Sequence, residues 1–107
     1  PSVRISIGAP KVSTRGGGRV LRVAVRLRRL RAKGAQGVVL RLMRRGRTVA
    51  TRSFAIRHAR NGARTFSWRL PGGLPHGPYR AQVDATVASM GAQAGTRRAA
   101  RRATVQA

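Results

Sequence analysis

Acidic side chains are all but missing from this chain. Asp84 is the one carboxylate in 107 residues, set against 24 Lys and Arg, and the formal net charge is +23. A single carboxylate excludes a paired-carboxylate acid/base mechanism and a calcium or magnesium cage built of acidic ligands. Cysteine is absent, which excludes disulfides and thiolate metal sites. No apolar run approaches the ~18 residues that cross a bilayer, so no transmembrane segment is expected. The length fits one domain, residues 1–107, with no room for a separate lid or cofactor domain. The chain starts at Pro1 without a charged-then-apolar leader, which reads as a processed or excised piece.

Apolar residues are also sparse. Leu, Ile, Val and Phe total 23 of 107, just above the ~20% below which a highly charged chain stays disordered. Folding must therefore rest on patterning. The pattern is a period of two along most of the chain. Val3, Ile5 and Ile7 alternate with Arg4 and Ser6, then Gly8-Ala9-Pro10 stops the run. Ser13–Gly18 reads as a flexible loop. Leu21, Val23, Val25 and Leu27 alternate with Arg22 and Arg26, and a basic connection over 28–37 follows. Val38, Leu40 and Leu42 form the next inward row, and Arg44-Arg45-Gly46-Arg47 reads as a tight turn. On the returning strand Val49 falls opposite Leu42, while Phe54 and Ile56 have the other parity, which predicts a bulge or sheet switch near Thr51–Ser53. His58–Gly62 is a loop. Phe66, Trp68 and Leu70 alternate inward, Pro71–Pro78 has no regular structure, and Tyr79, Ala81, Val83 and Ala85 alternate inward again. Residues 88–96 read as a loop, and a closing strand is expected around Arg101–Gln106 with Ala103 and Val105 inward. Six or seven short strands with turn signals every ~8–12 residues describe an all-β antiparallel sandwich.

Phe66-x-Trp68-x-Leu70-Pro71, followed by Leu74-x-x-Gly77-x-Tyr79, resembles bacterial immunoglobulin-like or fibronectin type III-like modules of secreted and cell-surface proteins. The resemblance implies an immunoglobulin-like sandwich of about seven strands. It also implies a corner at which Tyr79 buries its ring and ties its hydroxyl to nearby backbone. It covers about residues 19–87 and carries no specific activity. Such modules commonly place an Asp in the last hairpin, where this chain has Val87 and Gly91.

Residues that could carry chemistry are few. His58 and His76 lie in loops and have neither a cysteine nor an acid beside them, so a metal site is not expected. A Ser-His-Asp triad could use only Asp84, which falls on the outward face of its strand and is expected to bridge to a cross-strand Arg. Arg15-Gly16-Gly17-Gly18-Arg19 lacks the Lys-Ser/Thr and the helix of a phosphate loop. Phe54, Phe66, Trp68 and Tyr79 all sit at core parity, so none serves as a base-stacking platform. The expectation is a protein that is not an enzyme and carries no cofactor.

The basic residues are the strongest signal. Of the 24, 22 are Arg. A GC-rich genome would favour Arg over Lys, yet it would not remove Asp and Glu. Arg22 and Arg26 project outward from one strand, Arg41 from the next, and Arg69 and Arg80 from later ones. Arg28, Arg29, Arg31 and Lys33 crowd one connection, Arg44, Arg45 and Arg47 a hairpin tip, and Arg97, Arg98, Arg101 and Arg102 the tail. Guanidinium forks suit phosphate, sulfate and carboxylate groups. These residues point to a polyanion partner, either nucleic acid or an acidic polysaccharide or cell-wall polymer, held without sequence preference. The alternative is a subunit or repeat of an extracellular fibre or surface assembly that pairs through its edge strands. Either suits a secreted or cell-surface protein of a bacterium.

Overall fold

Alternation of apolar and polar residues becomes β-structure along almost the whole chain. A computed structural model describes residues 3–31, 33–90 and 95–107. Its elements are β1 (Arg4–Ile7), β2 (Lys11–Arg15), β3 (Gly18–Arg28), β4 (Gly34–Arg44), β5 (Arg47–Ile56), β6 (Gly62–Arg69), β7 (Pro78–Ser89) and β8 (Gly95–Gln106). All pairings are antiparallel. Among the described residues there is no helix long and apolar enough to cross a membrane.

The strands form two sheets. In the first, β3 is central, β6 lies on one side, and β1 and β2 follow one another along the other side. Ile7 sits opposite Val25 and Lys11 opposite Arg22. Between them Gly8 still donates its N–H to the Ala24 carbonyl at 2.8 Å. Pro10 has no N–H to give, so the ladder breaks there, as proline requires at a sheet edge. The second sheet has the order β5-β4-β7-β8. One core joins the two. Leu21, Val23 and Val25 of β3 and Phe66 and Trp68 of β6 meet Val38, Leu40 and Leu42 of β4 and Tyr79, Ala81, Val83 and Ala85 of β7. Each set occupies alternate positions, so one face of each strand is apolar and the other is left to solvent. The result is a flat body of 47 × 29 × 18 Å.

The irregular segments are tied down by specific bonds. The Tyr79 hydroxyl donates to the Pro75 carbonyl, and Arg19 donates to the carbonyls of Leu74 at 2.7 Å and Pro71 at 3.3 Å. Together these fix the proline- and glycine-rich 71–77 segment. Gly77 and Ala107 exchange both backbone hydrogen bonds, at 3.1 and 3.0 Å. At the opposite end Asn61 accepts from the Leu30 N–H and donates to the Leu30 carbonyl, both at 2.9 Å. That pair locks the β5–β6 connection to the β3–β4 connection.

Five expectations from the sequence need correction. The connection read over 28–37 is shorter, because β3 runs to Arg28 and β4 begins at Gly34. The strands number eight rather than about seven. Ser13–Gly18 is no flexible loop. Its first half belongs to β2, and Gly16 and Gly17, at φ +55° and +77°, make a two-residue hairpin turn. An edge strand needs little apolar content, and β2 buries only Val12 towards the core. The bulge lies nearer the hairpin tip than Thr51–Ser53. Leu42 faces Ala50 and Met43 faces Thr48, so Val49 is the extra residue and is pushed out to 43% exposure. The expected 88–96 loop is shorter, since β7 runs to Ser89 and β8 begins at Gly95, while residues 91–94 lie outside the described ones.

Candidate polyanion interface

The register of the first sheet builds its outer face. Side chains at alternate positions of β3 leave the core on the solvent side, about 6.8 Å apart along the strand. They are Arg22, Ala24, Arg26 and Arg28, with Val20 at the end of the row. β1 adds Arg4 opposite Arg28 and Ser6 opposite Arg26. β2 adds Lys11 opposite Arg22, Ser13 opposite Val20 and Arg15 opposite Gly18. β6 adds Ala63, Thr65, Ser67 and, opposite Val20, Arg69. The face therefore carries seven cations, Arg4, Lys11, Arg15, Arg22, Arg26, Arg28 and Arg69, on a floor of mostly small side chains. No carboxylate stands among them. Arg4 against Arg28 and Lys11 against Arg22 are like charges directly opposite one another, a destabilising placement of up to about 1 kcal/mol each. Arg22 finds only a neutral partner, the Ser13 hydroxyl at 3.1 Å.

The second sheet's outer face differs. It presents Arg41, Arg80, Arg98 and Arg102, but Asp84 stands among them. Asp84 accepts from Arg41 at 2.8 Å and from Gln82 at 3.0 Å. The expected cross-strand bridge is thus formed with Arg41, and that guanidinium is no longer available as a bare cation.

The fourteen cations singled out in the sequence do not share one patch. Arg22, Arg26 and Arg28 lie on the outer face of the first sheet. Arg29, Arg31 and Lys33 follow in the β3–β4 connection, at the end of that row. Arg44, Arg45 and Arg47 occupy the β4–β5 hairpin at the opposite end, with Arg44 stacked over the Tyr79 ring at 5.4 Å. Arg41, Arg98 and Arg102 project from the second sheet. Arg97 and Arg101 fall on the inward parity of β8, which is an edge strand, and so reach past the core. Arg101 donates to the Ile7 carbonyl of β1 at 2.8 Å, bridging the two sheets. Arg4, Lys11 and Arg15 complete the basic face but were not singled out in the sequence as polyanion contacts. Their signal was the parity of β1 and β2, and it becomes readable only once both strands are known to lie beside β3.

The aromatic residues face inward or lie against other side chains. Phe66, Trp68 and Tyr79 are buried, and Phe54 is half-buried with its ring 5.2 Å from that of Phe66 and the Arg52 guanidinium 5.1 Å from its centre. Leu70 is buried and Leu74 packs against the core. His58 precedes β6 and His76 follows it, so the two histidines lie at opposite ends. No family model, curated protein or solved structure matches the chain.

Proposed function

We propose that this chain is a binding module that attaches electrostatically, without sequence preference, to a polyanion. The outer face of the first sheet is its principal contact. The observation carrying this reading is the set of seven cations there with no carboxylate and two directly opposed like-charge pairs. Such a face is relieved when an anionic polymer supplies the missing charge. The backbone of nucleic acid and the anionic groups of a cell-surface polymer both offer that charge, and guanidinium forks suit either. The floor of Ala24, Ala63, Thr65, Ser6 and Ser67 offers no aromatic surface for stacking, and the face is a sheet with no recognition helix to carry its arginines to base edges. Contact is therefore with charged groups alone. The module has no enzymatic role in this reading and belongs to a secreted or cell-surface bacterial protein.

We assign the sandwich to the immunoglobulin-like kind. Supporting this are consecutive strands β3 and β4 in opposite sheets, β6 returning to pair with β3, and β7 seated between β4 and β8. The Tyr79 hydroxyl bond to Pro75 also supports it. Assembly into a fibre through edge strands is the weaker reading, because the edges carry Arg47, Arg52, Arg64, Arg97 and Arg101, and charged edge strands resist pairing.

The test compares two triple variants. Replacing Arg22, Arg26 and Arg28 by Gln should weaken duplex DNA or heparin binding and lower the salt slope by about 0.9 per lost contact. Replacing Arg80, Arg98 and Arg102 by Gln should do so less. Equal losses would assign the contact to overall charge, not to this face.

A further inference from the structure

The end of the molecule that carries the β4–β5 hairpin holds a second basic feature, separate from the flat face. There a concavity of about 600 Å³ is lined by Arg44, Arg45, Arg80, Arg102, Tyr79 and Thr104. Its volume is that of a small-molecule site. Arg45 lines it from the β4–β5 turn, Arg80 from β7 and Arg102 from β8, and no carboxylate lines it. The one carboxylate of the chain is taken up by Arg41. Arg80 and Arg102 are diagonal neighbours on β7 and β8, since Arg80 pairs with Thr104 and Gln82 with Arg102. Nothing between them offsets their repulsion.

Arg44 shares the inward parity of Leu40 and Leu42 and stacks over the buried Tyr79 ring, whereas Arg80 and Arg102 project from the outer side of the sheet, so Arg44 does not join them. Arg45 has a left-handed backbone, φ +53°, followed by Gly46 at φ +76°. The first position of such a two-residue hairpin turn favours Asn, Asp or Gly, and an Arg there is strained. A strained residue at a cluster of like charges points to a role for its side chain.

We infer that this concavity is a discrete site for a compact, multiply charged phosphate group, chelated by Arg45, Arg80 and Arg102. Guanidinium forks bind such oxyanions bidentately. The site goes beyond the polyanion reading, because it saturates with one small ligand and does not need the flat face.

The test is calorimetric titration of the full chain with inorganic tripolyphosphate at physiological salt, with sulfate as the weaker control. One saturable site is expected. Arg45→Asn and Arg102→Gln should each weaken it by roughly tenfold, while Arg22→Gln leaves it unchanged. Arg45→Asn also relieves the left-handed strain, so this variant should melt no lower than the parent in chloride while losing tripolyphosphate affinity. Non-saturating binding, or equal losses in Arg22→Gln and Arg102→Gln, would overturn the site. Duplex DNA run beside it separates the two claims. DNA binding without a saturable tripolyphosphate site sinks this inference alone, whereas a saturable site without DNA binding leaves it standing and removes the polyanion reading.

Discussion

Among the described residues Gln36 is the one buried polar side chain, at 4% exposure, and its Nε2 has no partner there. An unpaired buried amide costs stability. Gln36→Met should therefore raise unfolding free energy by about 1 kcal/mol in a denaturant titration. Leu40 is fully buried between the sheets, and Leu40→Ala should cost roughly 2–5 kcal/mol in the same assay. The Arg41–Asp84 pair is different, because its side chains are 39% and 34% exposed. Asp84→Asn should change stability by less than about 1 kcal/mol, as solvent screens the pair. The inward residues Phe66, Trp68 and Tyr79 were legible in the sequence because parity alone sets their direction. Gln36 was not, because it lies in a Gly-containing stretch, Gly34–Gly37, that reads as a connection and is in fact the start of β4.

At the level of elements, strands with a full apolar row could be read and those without could not. β3 and β7 declare themselves by four or five inward residues each. β2 has only Val12 to bury, and β8 only the small Ala99 and Ala103 and then Val105, so each looked partly like loop. The position of the bulge was hidden for a related reason. Parity shows that a shift must occur between Val49 and Phe54, but where it falls depends on the turn geometry at Arg45-Gly46. Edge protection also belongs to this scale. Arg97 and Arg101 sit at inward positions of β8, where apolar residues would invite a neighbour's strand. The chain should sediment as a monomer at high salt. The double variant Arg97→Val, Arg101→Val should self-associate, and a variant that stays monomeric would show that these residues do not guard the edge.

Over the whole molecule the charge outweighs any single contact. Twenty-three uncompensated positive charges repel one another at low ionic strength, so the folded state should gain stability as anions screen or bind it. Melting temperature should rise more with phosphate or sulfate than with chloride at matched ionic strength. The excess of charge was plain in the sequence, and its arrangement was not. Which cations share a face depends on long-range pairing, which places Arg4 beside Arg28 and Lys11 beside Arg22 across gaps that sequence spacing does not reveal. The most direct test of the central claim is a salt titration of binding to duplex DNA, with heparin and a neutral glycan as controls. The account predicts tight binding to DNA and heparin, none to the neutral glycan, and a loss of about 10³–10⁵ in affinity between ~50 and ~200 mM salt if 6–10 anionic groups are engaged. Binding that is weak at low salt and gone at physiological salt would contradict it.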